Sequence, residues 1–395
     1  MNTFSNDLFK RGVNYPDLYK KVYGCFPSNW LVGHVIKVRT GHAANKKIRA
    51  DAASGGVITQ TLIYLLENNL VDAVVIAKQG IPSPELASPV IATTREEILS
   101  GAGSVYVPVA MLEILDDLDP NKKYAITCLP EESAILRAMQ QNGISSALQI
   151  KYVLGPYTGT ALNPEAIRCY LQSKKIREDD PITSLKWRAG DWPGYLEVKT
   201  KSGKIIRTPK VYYNFLIPFF ITQNSLTSMD FANEFADLSV GDAWSPIFET
   251  LGGGHSVVVT RNKEMESIIE DMCNRGLLEL KVEDVLKATD MHGHMLDFKK
   301  RGGWIRNNWR RAFGKSSRDY GYRPKKIPVS RYFVEIIISS IFMVGRLKFS
   351  RWLVTKIPES IIGPIFNFLR LNWKKLSRPT KRKGLSNFEI KVNPK

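Results

Sequence analysis

Apolar and polar residues alternate along the first half of the chain with two periods, one typical of strands and one typical of helices. Short apolar runs rich in β-branched residues predict buried strands over Val71–Ala77, Pro89–Thr93, Tyr124–Cys128 and Ala147–Val153. Apolar residues at helical spacing predict helices after Ser54-Gly55-Gly56, from Thr94, around Met111–Leu118 and over Glu132–Gln141. Strands that alternate with helices in this way are typical of an α/β sheet with helices packed against it.

The pattern changes in the second half of the chain. Three short runs predict antiparallel strands, Ser184–Trp187, Leu196–Thr200 and Lys204–Thr208, with a hairpin turn at Ser202-Gly203. Further on, Val257–Thr260 predicts a strand, Lys263–Cys273 a helix and Leu277–Leu280 a strand. We therefore predict an α/β fold with a central mixed sheet, flanking helices, a small antiparallel β insertion and a basic helical C-terminal extension.

The turn Ser54-Gly55-Gly56 stands directly before a helix of strongly apolar character. A serine at this place can cap the helix, and glycines allow a backbone or a ligand to approach closely. Free N–H groups at a helix N-terminus suit a phosphate. A capped helix after a tight turn is the alternative that the residues leave open.

Two apolar runs near the C-terminus, Tyr332–Val344 and Ile361–Leu371, are flanked by cations and by Trp352 and Trp373. Neither run reaches the ~20 apolar residues that span a bilayer. The pattern is typical of helices that lie in the interface of an anionic membrane. The alternative is a pair of core helices followed by a disordered basic end from Ser377. Nucleic acid is not expected as a partner, since no nucleic-acid-binding module is found.

Charge divides the 395-residue chain unevenly. The formal net charge is +18, and the stretch 299–395 alone holds 25 Lys and Arg against 4 Asp and Glu, so the remainder is slightly acidic. The first fourteen residues contain no apolar run like that of a secretory signal. The four cysteines form no C-x-x-C pair, so we expect a reduced, cytoplasmic setting and no zinc ribbon. The basic tail predicts a peripheral position on the membrane.

An ordered set of motifs runs along the body of the chain: Ala53-Ser54-Gly55-Gly56-Val57, Ala102-Gly103-Ser104-Val105-Tyr106, Trp192-Pro193-Gly194, the string from Phe235 to Asp242, and Gly254-His255-Ser256-Val257. Between about Asp7 and Gly302 the chain resembles the coenzyme F420 hydrogenase/dehydrogenase beta subunit family. F420 is a deazaflavin hydride carrier, and the family contains FAD-binding, iron–sulfur proteins. The resemblance implies that FAD is bound here and that coenzyme F420 is a second candidate cofactor.

Four positions depart from the pattern of this family. Glu131 follows Leu-Pro where the family has cysteine, and Ser225 and Ser228 replace a C-x-x-C pair. Val105 stands where the family often has lysine. Since a 4Fe-4S cluster needs about four thiolates, we predict that this chain carries no iron–sulfur cluster. The sequence leaves open whether Glu131 has gained a new role.

The resemblance also implies site residues. The backbone of Ser54, Gly55 and Gly56 would hold flavin or pyrophosphate oxygens, and Gly103, Ser104 and Tyr106 would line the isoalloxazine pocket. Asp237 and Asp242 are candidate general acids or ribose ligands, or else turn-forming carboxylates at a strand end. His255 is a candidate proton donor near neutral pH, or else a cap of its glycine loop. No metal site is predicted, and we interpret His292-Gly-His294 as a solvated helix end.

Four segments follow from these assignments: an N-terminal segment (1–50), an α/β flavin-binding region (51–180), an α+β region (181–310) and the basic tail (311–395). The leading hypothesis is a clusterless FAD-dependent oxidoreductase that acts on coenzyme F420 or a small organic substrate, with a homo-oligomer as a candidate assembly. The alternative is a non-catalytic binding or scaffold protein in a membrane-proximal biosynthetic pathway. A weaker third hypothesis is a transferase that binds a phosphate at Ser54–Gly56.

Overall fold

The structure, a computed structural model, describes residues 3–177 and 179–393. Residues 1–2 and 394–395, the outer ends of the first and last predicted segments, lie outside the described residues, as does residue 178. The strands are β1 Lys37–Ala43, β2 Ala73–Gln79, β3 Ala87–Ala92, β4 Tyr124–Thr127, β5 Ile150–Pro156, β6 Ile182–Ala189, β7 Tyr195–Thr200, β8 Ile205–Pro209, β9 Leu238–Asp242, β10 Ser256–Thr260, β11 Leu278–Glu283, β12 Tyr322–Pro324 and β13 Ile390–Val392.

Helices cover most of the remaining chain. The α-helices are α1 Thr3–Arg11, α2 Tyr15–Tyr23, α3 Lys46–Asp51, α4 Val57–Glu67, α5 Arg95–Ser100, α6 Pro130–Gln141, α7 Ser145–Leu148, α8 Glu165–Ser173, α9 Lys210–Tyr213, α10 Ile217–Phe220, α11 Gln223–Thr227, α12 Pro246–Leu251, α13 Lys263–Asn274, α14 Val285–Asp297, α15 Trp304–Ala312, α16 Val329–Gly345, α17 Lys348–Lys356 and α18 Glu359–Arg382. Two 3-10 helices cover Met111–Asp117 and Asn214–Leu216, and a π-helix covers Phe298–Gly303.

Eight strands form the central sheet in the order β11-β1-β10-β9-β5-β4-β2-β3. Strands β9, β5, β4 and β2 run parallel to one another, while the remaining neighbours pair antiparallel. The predicted α/β fold with a mixed central sheet is therefore confirmed. The carboxyl ends of its parallel strands share one edge, which is where open α/β sheets bind ligands.

Both faces of the central sheet are buried, which explains why its inner strands read as unbroken apolar runs. Val75, Ile126 and Val153 point into an apolar cluster on one face. Their neighbours Val74 and Ala125 point into a second cluster on the other face, together with the residues of α4 and α13. Helices therefore pack on both faces of the sheet, and each face has its own apolar core.

Strand β1 lies inside the N-terminal segment and was not recognised in the sequence. It pairs antiparallel with both β10 and β11, so it is an inner strand of the sheet. The polar sequence of β1 does not indicate an inner strand, because its buried residues include the charged Arg39. In the fold, Arg39 makes two hydrogen bonds to Glu266 of α13, at 2.8 and 2.7 Å. The limits of the four predicted segments remain predictions.

The small antiparallel sheet is present as predicted, in the order β6-β7-β8. Its β7–β8 hairpin closes at Ser202-Gly203, where the N–H of Gly203 donates to the carbonyl of Thr200 at 3.0 Å. The sheet packs on a third apolar cluster that includes Trp187, Leu196 and Phe215. This packing places the sheet beside the loop that precedes the first 3-10 helix, since Val105 and Tyr106 contact the same cluster.

The C-terminal extension is helical, as predicted, and its basic end is ordered. Helix α18 continues to Arg382, and β13 then pairs with β12, with Ile390 opposite Pro324. The alternative of a disordered end from Ser377 is therefore wrong within the described residues. In the part of the chain that the structure describes, no helix is both long and apolar enough to cross a bilayer.

Candidate functional site

Four of the sequence motifs meet at the carboxyl end of β9. Asp242 ends β9 and lies opposite Ser256, the first residue of β10. The N–H of Gly55 donates to the hydroxyl of Ser256 at 3.0 Å, which brings the Ser54–Gly56 turn to the same place. Gly103 lies near Asp51, which precedes this turn in the chain, because a Cβ atom added to Gly103 would lie 3.7 Å from the carbonyl oxygen of Asp51. The structure thus gathers most of the predicted site residues at one edge of the sheet.

The Ser54–Gly56 turn is fastened to the sheet by its own hydrogen bonds. The Ser54 hydroxyl donates to the carbonyl of His255 at 2.8 Å, and the carbonyl of Gly55 accepts from the N–H of Ala43 at 2.7 Å. A Cβ atom on Gly55 would lie 2.7 Å from the carbonyl oxygen of Gly41, so here the glycine makes room for the protein backbone. Whether the turn also contacts a cofactor stays a prediction.

The prediction that Ser54 caps helix α4 is wrong. The residue at the N-cap is Gly56, in the left-handed conformation with φ +78°, and no side chain caps the helix. The reason is that two glycines separate Ser54 from the first turn, and its hydroxyl is directed to the Gly254–Ser256 loop instead.

His255 lies in a pocket made by two rings and a cation. Its imidazole stacks on Phe248, with centroids 4.8 Å apart, and meets the edge of His42 at 5.2 Å. Arg49 approaches it to 3.5 Å and also donates to the carbonyls of Gly254 and Gly252, at 3.0 and 3.3 Å. Burial, Arg49 and His42 lower the pKa of His255 to about 4. This lowered pKa favours the neutral imidazole near pH 7. The role of His255 as a proton donor stays a prediction.

Asp242 is bound to the small sheet. Its carboxylate accepts two hydrogen bonds from Nη1 of Arg188 on β6, at 2.9 and 3.2 Å, and the Arg188 side chain is 5% exposed. The other terminal nitrogen of Arg188, Nη2, is buried and has no hydrogen-bond partner among the described residues. The indole nitrogens of Trp187 and Trp192 are in the same situation. Three buried N–H donors in one short stretch of chain are thus left unpaired by the described protein.

Aromatic rings and cations pack against one another in this part of the structure. We call this group the aromatic–cationic cluster, and it consists of Tyr106, Trp187, Arg188, Trp192, Lys210 and Trp244. The rings of Trp192 and Trp244 lie 4.6 Å apart, and the Tyr106 ring meets Trp187 edge-on at 5.5 Å. The Lys210 ammonium lies 5.1 Å from the Trp244 ring and 6.0 Å from that of Tyr106.

The cluster changes the acidity of Tyr106. Burial raises the pKa of its hydroxyl, but Lys210 and Arg188 act in the opposite direction, and so does a hydrogen bond with Ser104. The net result is a pKa below the ordinary value of 10.0. A site with this lowered pKa, half-buried rings and unpaired N–H donors suits a planar ligand that carries negative charge.

Asp237 lies at the opposite end of β9 from Asp242. Five residues at the usual rise of about 3.3 Å per residue separate the two carboxylates along the strand. The Asp237 carboxylate accepts from Arg137, from Asn262 and from the N–H of Val153, at 2.6, 2.6 and 2.7 Å. These contacts fix the start of β9 against β5 and α6. They favour the alternative that Asp237 is a structural carboxylate at a strand end.

The three positions at which the family has cluster cysteines are engaged within the protein. Glu131 accepts a hydrogen bond from the Tyr320 hydroxyl at 3.1 Å, and Ser228 donates to the carbonyl of Asp230 at 3.0 Å. The Ser225 hydroxyl accepts a hydrogen bond from the N–H of Ala161 at 2.8 Å. One carboxylate and two hydroxyls, each already bonded, do not fit a 4Fe-4S cluster, which is held by thiolates.

A buried ammonium accompanies these positions. Lys299 of the π-helix is buried, and its Nζ donates to the carbonyl of Ser225 at 2.9 Å. Burial lowers the pKa of Lys299 to about 8, while the charge of Glu131 acts against that change. Glu131 therefore has an electrostatic effect that the sequence could not show, as a carboxylate whose charge acts on a buried lysine.

The interpretation of His292-Gly-His294 as a solvated helix end is confirmed for His294, which is exposed in the last turn of α14, and is wrong for His292. His292 lies within α14, is 2% exposed and packs on Tyr157 and Phe231 with ring centroids 5.2 and 5.3 Å away. Burial lowers its pKa to about 3. Across residues 3–177 and 179–393, no group of three or more His, Cys, Asp and Glu is arranged to hold a metal ion.

Comparisons with known proteins agree with one another. The family models named coenzyme F420 hydrogenase/dehydrogenase, beta subunit N-terminus and C-terminus match residues 38–116 and 121–285. An uncharacterized protein of Methanocaldococcus jannaschii is 28% identical over 252 residues, which are 63% of this chain and 88% of that protein. The coenzyme F420 hydrogenase subunit beta of Methanococcus voltae is 25% identical over 258 residues, 64% of this chain and 86% of that subunit.

A solved structure shares the fold. A chain in the F420-reducing NiFe hydrogenase complex from Methanosarcina barkeri, studied by xenon derivatization, matches with a TM-score of 0.58 and 19% identity. The match covers 74% of this chain and 98% of that chain. At this level of identity the likeness establishes the architecture and not the chemistry.

Proposed function

Because this chain belongs to the coenzyme F420 hydrogenase/dehydrogenase beta subunit family, we propose that it is a flavin-dependent oxidoreductase without an iron–sulfur cluster. Its substrate is coenzyme F420 or a small organic molecule, and its cofactor is FAD. The relative from Methanococcus voltae is named as a subunit of a coenzyme F420 hydrogenase, which supports a redox role for the present chain.

The observation that carries the proposal is the set of unpaired donors in the aromatic–cationic cluster. Nη2 of Arg188 and the indole nitrogens of Trp187 and Trp192 are buried without a hydrogen bond in the described protein. An unpaired buried N–H group is costly, by about 1–3 kcal/mol each, so a ligand that accepts these bonds is expected to bind here. The oxygens and ring nitrogens of a flavin or of its phosphates are acceptors of this kind.

The residues in and around the cluster would contact different parts of FAD. Half-buried Trp192 and Trp244 offer ring faces for stacking, and Arg188 and Lys210 offer positive charge. Gly103 and Ser104 lie on the loop that leads to Tyr106, and the Ser54–Gly56 turn lies beside Asp242 at the same sheet edge. When bound, a flavin supplies a ring that takes up and releases a hydride, while the protein supplies orientation and electrostatics.

Electron transfer through a cluster is not part of this proposal. The contacts of Glu131, Ser225 and Ser228 and the buried Lys299 support a chain that keeps two-electron chemistry and lacks the relay for single electrons. The relative in Methanosarcina barkeri is part of a hydrogenase complex. We propose that the present chain works without such an electron-transfer partner, in the cytoplasm, as a monomer or homo-oligomer.

The decisive experiment is a visible absorption spectrum with metal analysis on protein purified without oxygen. We expect flavin absorption, at once or after reconstitution with FAD, and no stoichiometric iron. Lys210→Met and Trp192→Ala should retain less FAD than Trp352→Ala, a matched tryptophan variant on an exposed helix far along the chain. A protein that neither contains nor takes up FAD contradicts the flavin proposal, and stoichiometric iron with sulfide contradicts the clusterless one.

A second candidate function is a non-catalytic binding or scaffold protein. The observation that favours it is Val105, which contacts an apolar cluster at the position where the family often has lysine, so one basic contact to a flavin is absent there. Steady turnover of reduced coenzyme F420 or of reduced flavin with any acceptor would remove this candidate. FAD binding without turnover against a broad set of acceptors would favour it.

A further inference from the structure

The three helices of the C-terminal extension, α16, α17 and α18, turn apolar side chains outward. We call them the C-terminal layer. Its exposed large apolar residues are Val329, Phe333, Ile336, Ile337, Ile341, Met343, Val344, Leu347, Phe349, Trp352, Leu353, Ile361, Ile365, Phe368, Leu369, Leu371 and Leu376. A helix on the surface of a water-soluble domain normally does the opposite, and apolar patches of this extent mark interaction sites.

Helix α16 shows the inversion most clearly. Arg331 and Glu335 are fully buried, whereas Phe333 between them is 63% exposed and Ile336 and Ile337 are about half exposed. The charged residues of this helix therefore face the protein, and its apolar residues face the surroundings. Burying charge is costly, so the arrangement is stable only because the charges are paired.

A buried ion-pair network holds α16 in this orientation. Arg331 pairs with Asp297 of α14 at 2.8 Å and with Glu335 at 2.9 Å. Glu335 also accepts from Arg306 of α15 at 2.6 Å, and Asp297 accepts from Arg301 at the same distance. The network joins α16 to the π-helix and its neighbours, so the apolar face of α16 is fixed relative to the body.

The other two helices repeat the pattern. On α17, Arg351 donates to the carbonyl of Phe219 at 3.0 Å, while Phe349 and Trp352 are exposed and stack on each other at 5.8 Å. On α18, Glu359 is buried and pairs with Lys174 of α8 at 2.7 Å. In each helix a charged residue anchors the inner side, and apolar residues remain on the outer side.

The exposed charges of the layer are of one sign. Residues 329–382 carry eleven Lys and Arg against two Glu, and both glutamates, Glu335 and Glu359, are buried. Exposed cations stand next to the apolar residues, and Lys375 and Arg378 line a surface hollow together with Leu371. Apolar side chains bordered by cations complement a partner that has an apolar interior and an anionic surface.

We propose that the C-terminal layer docks on an anionic lipid bilayer, with its apolar residues in the interface and its cations on lipid phosphates. Within the described residues no helix is long and apolar enough to span a bilayer, so the layer lies in the interface plane. A second copy of the chain is a poorer occupant, because two such faces would bring their cations together. This proposal goes beyond the flavin proposal and does not depend on it.

The test is flotation of the full-length protein with phosphatidylcholine vesicles that contain or lack phosphatidylglycerol. We expect the protein to float with the anionic vesicles and to bind them less at high salt. Each cation near an anionic surface contributes about fivefold to binding, so the variant Lys348→Glu/Lys375→Glu/Arg378→Glu should bind at least about a hundredfold more weakly. The matched control is Lys122→Glu/Lys123→Glu/Lys204→Glu, which reverses three exposed cations of the body and should lose much less.

The apolar side of the layer is tested separately. Phe333→Asp and Phe368→Asp should abolish flotation, while Leu286→Asp, at an exposed leucine of α14, should float like the unchanged protein. Unchanged far-UV circular dichroism would show that each variant is folded. The proposal is overturned if the unchanged protein binds no vesicle, if the Phe variants still float, or if Phe368→Asp instead dissociates a dimer found in solution. Vesicle binding is read without reference to flavin content, so its failure leaves the proposed function untouched.

Discussion

The guanidinium of Arg188 donates to both carboxylate oxygens of Asp242, at 3.2 and 2.9 Å, and this pair joins β6 of the small sheet to the end of β9. The contact fixes where the small sheet lies on the central sheet. It also holds the Arg188 guanidinium, whose Nη2 is buried and has no hydrogen-bond partner among the described residues. The site that we propose for FAD therefore depends on an ion pair between two parts of the chain that lie far apart in sequence.

We predict that Arg188→Met and Asp242→Asn each lower the free energy of unfolding by about 3–5 kcal/mol, because each leaves a poorly exposed charge without its partner. The double variant should lose less than the sum of the two. Urea unfolding followed by circular dichroism gives all four values of this cycle. Additive losses would show that the two residues do not interact.

We predict that Gly55→Ala destabilises the protein in the absence of any cofactor. The new Cβ atom would lie 2.7 Å from the carbonyl oxygen of Gly41 and 2.8 Å from the hydroxyl of Ser256, so a backbone segment must shift. The midpoint of thermal unfolding should fall by several degrees, as a loss of about 1–3 kcal/mol implies for overpacking. In Gly159→Ala the added atom would lie 2.8 Å from the flexible end of Met295 and at an ordinary contact distance of 3.9 Å from Phe231, so this control should unfold close to the unchanged protein.

An effect of Gly55→Ala on FAD binding alone, with unfolding unchanged, would assign the Ser54–Gly56 turn to the cofactor rather than to the sheet. The structure favours the sheet at Gly55 itself, because its N–H and carbonyl are both hydrogen-bonded to neighbouring strands.

The sequence was sufficient for most of the central sheet. Strand β2 was recognised because Val74 and Val75 face opposite apolar cores, which leaves an uninterrupted apolar run. Strand β1 escaped because Arg39 is buried in it, and the glutamate that neutralises this charge comes from α13, more than two hundred residues later. Pairings over such separations leave no local pattern.

The same distinction applies to the candidate site. Ser54, Gly103 and Asp242 belong to short motifs and were identified in the sequence, and the fold brings them to one edge. Apart from Tyr106, the residues of the aromatic–cationic cluster were missed as site residues, since they come together only when the small sheet packs on the end of β9. Trp192 belongs to the Trp192-Pro193-Gly194 motif, but nothing in the local sequence indicates that its indole N–H is buried without a partner among the described residues.

We predict that His292 contributes to acid destabilisation. Its pKa is about 3 in the folded protein and near 6.5 when unfolded, so the unfolded chain binds more protons between these values. The stability associated with a neutral His292 is therefore complete above pH 6.5 and falls as the pH drops, by at most about 1.4 kcal/mol per pH unit. His292→Phe should flatten the dependence of the unfolding free energy on pH between 6.5 and 4. An unchanged slope would show that the ring is protonated in the fold.

We predict that Glu131 supports the buried Lys299. In Glu131→Gln the lysine loses the carboxylate that opposes the lowering of its pKa, and the free energy of unfolding should fall by about 1–3 kcal/mol at neutral pH. The same substitution in a Lys299→Met background should have a smaller effect, because no ammonium remains to be stabilised. Equal losses in the two backgrounds would assign the role of Glu131 to its hydrogen bond with Tyr320 instead.

We predict that Tyr106 ionises at a lower pH than an ordinary tyrosine and that Lys210 is a main cause. Burial opposes ionisation of the hydroxyl, but the charges of Lys210 and Arg188 favour the phenolate and lower the pKa. Lys210→Met should therefore raise the pKa of Tyr106, and Tyr106→Phe should remove the corresponding step from the ultraviolet titration of the cofactor-free protein. Since a phenolate is stabilised where positive charge is concentrated, the size of the shift measures how strongly the aromatic–cationic cluster attracts an anion. If Lys210→Met leaves the titration unchanged, the ammonium does not act on this site, and the case for an anionic cofactor at the cluster loses one of its two cations.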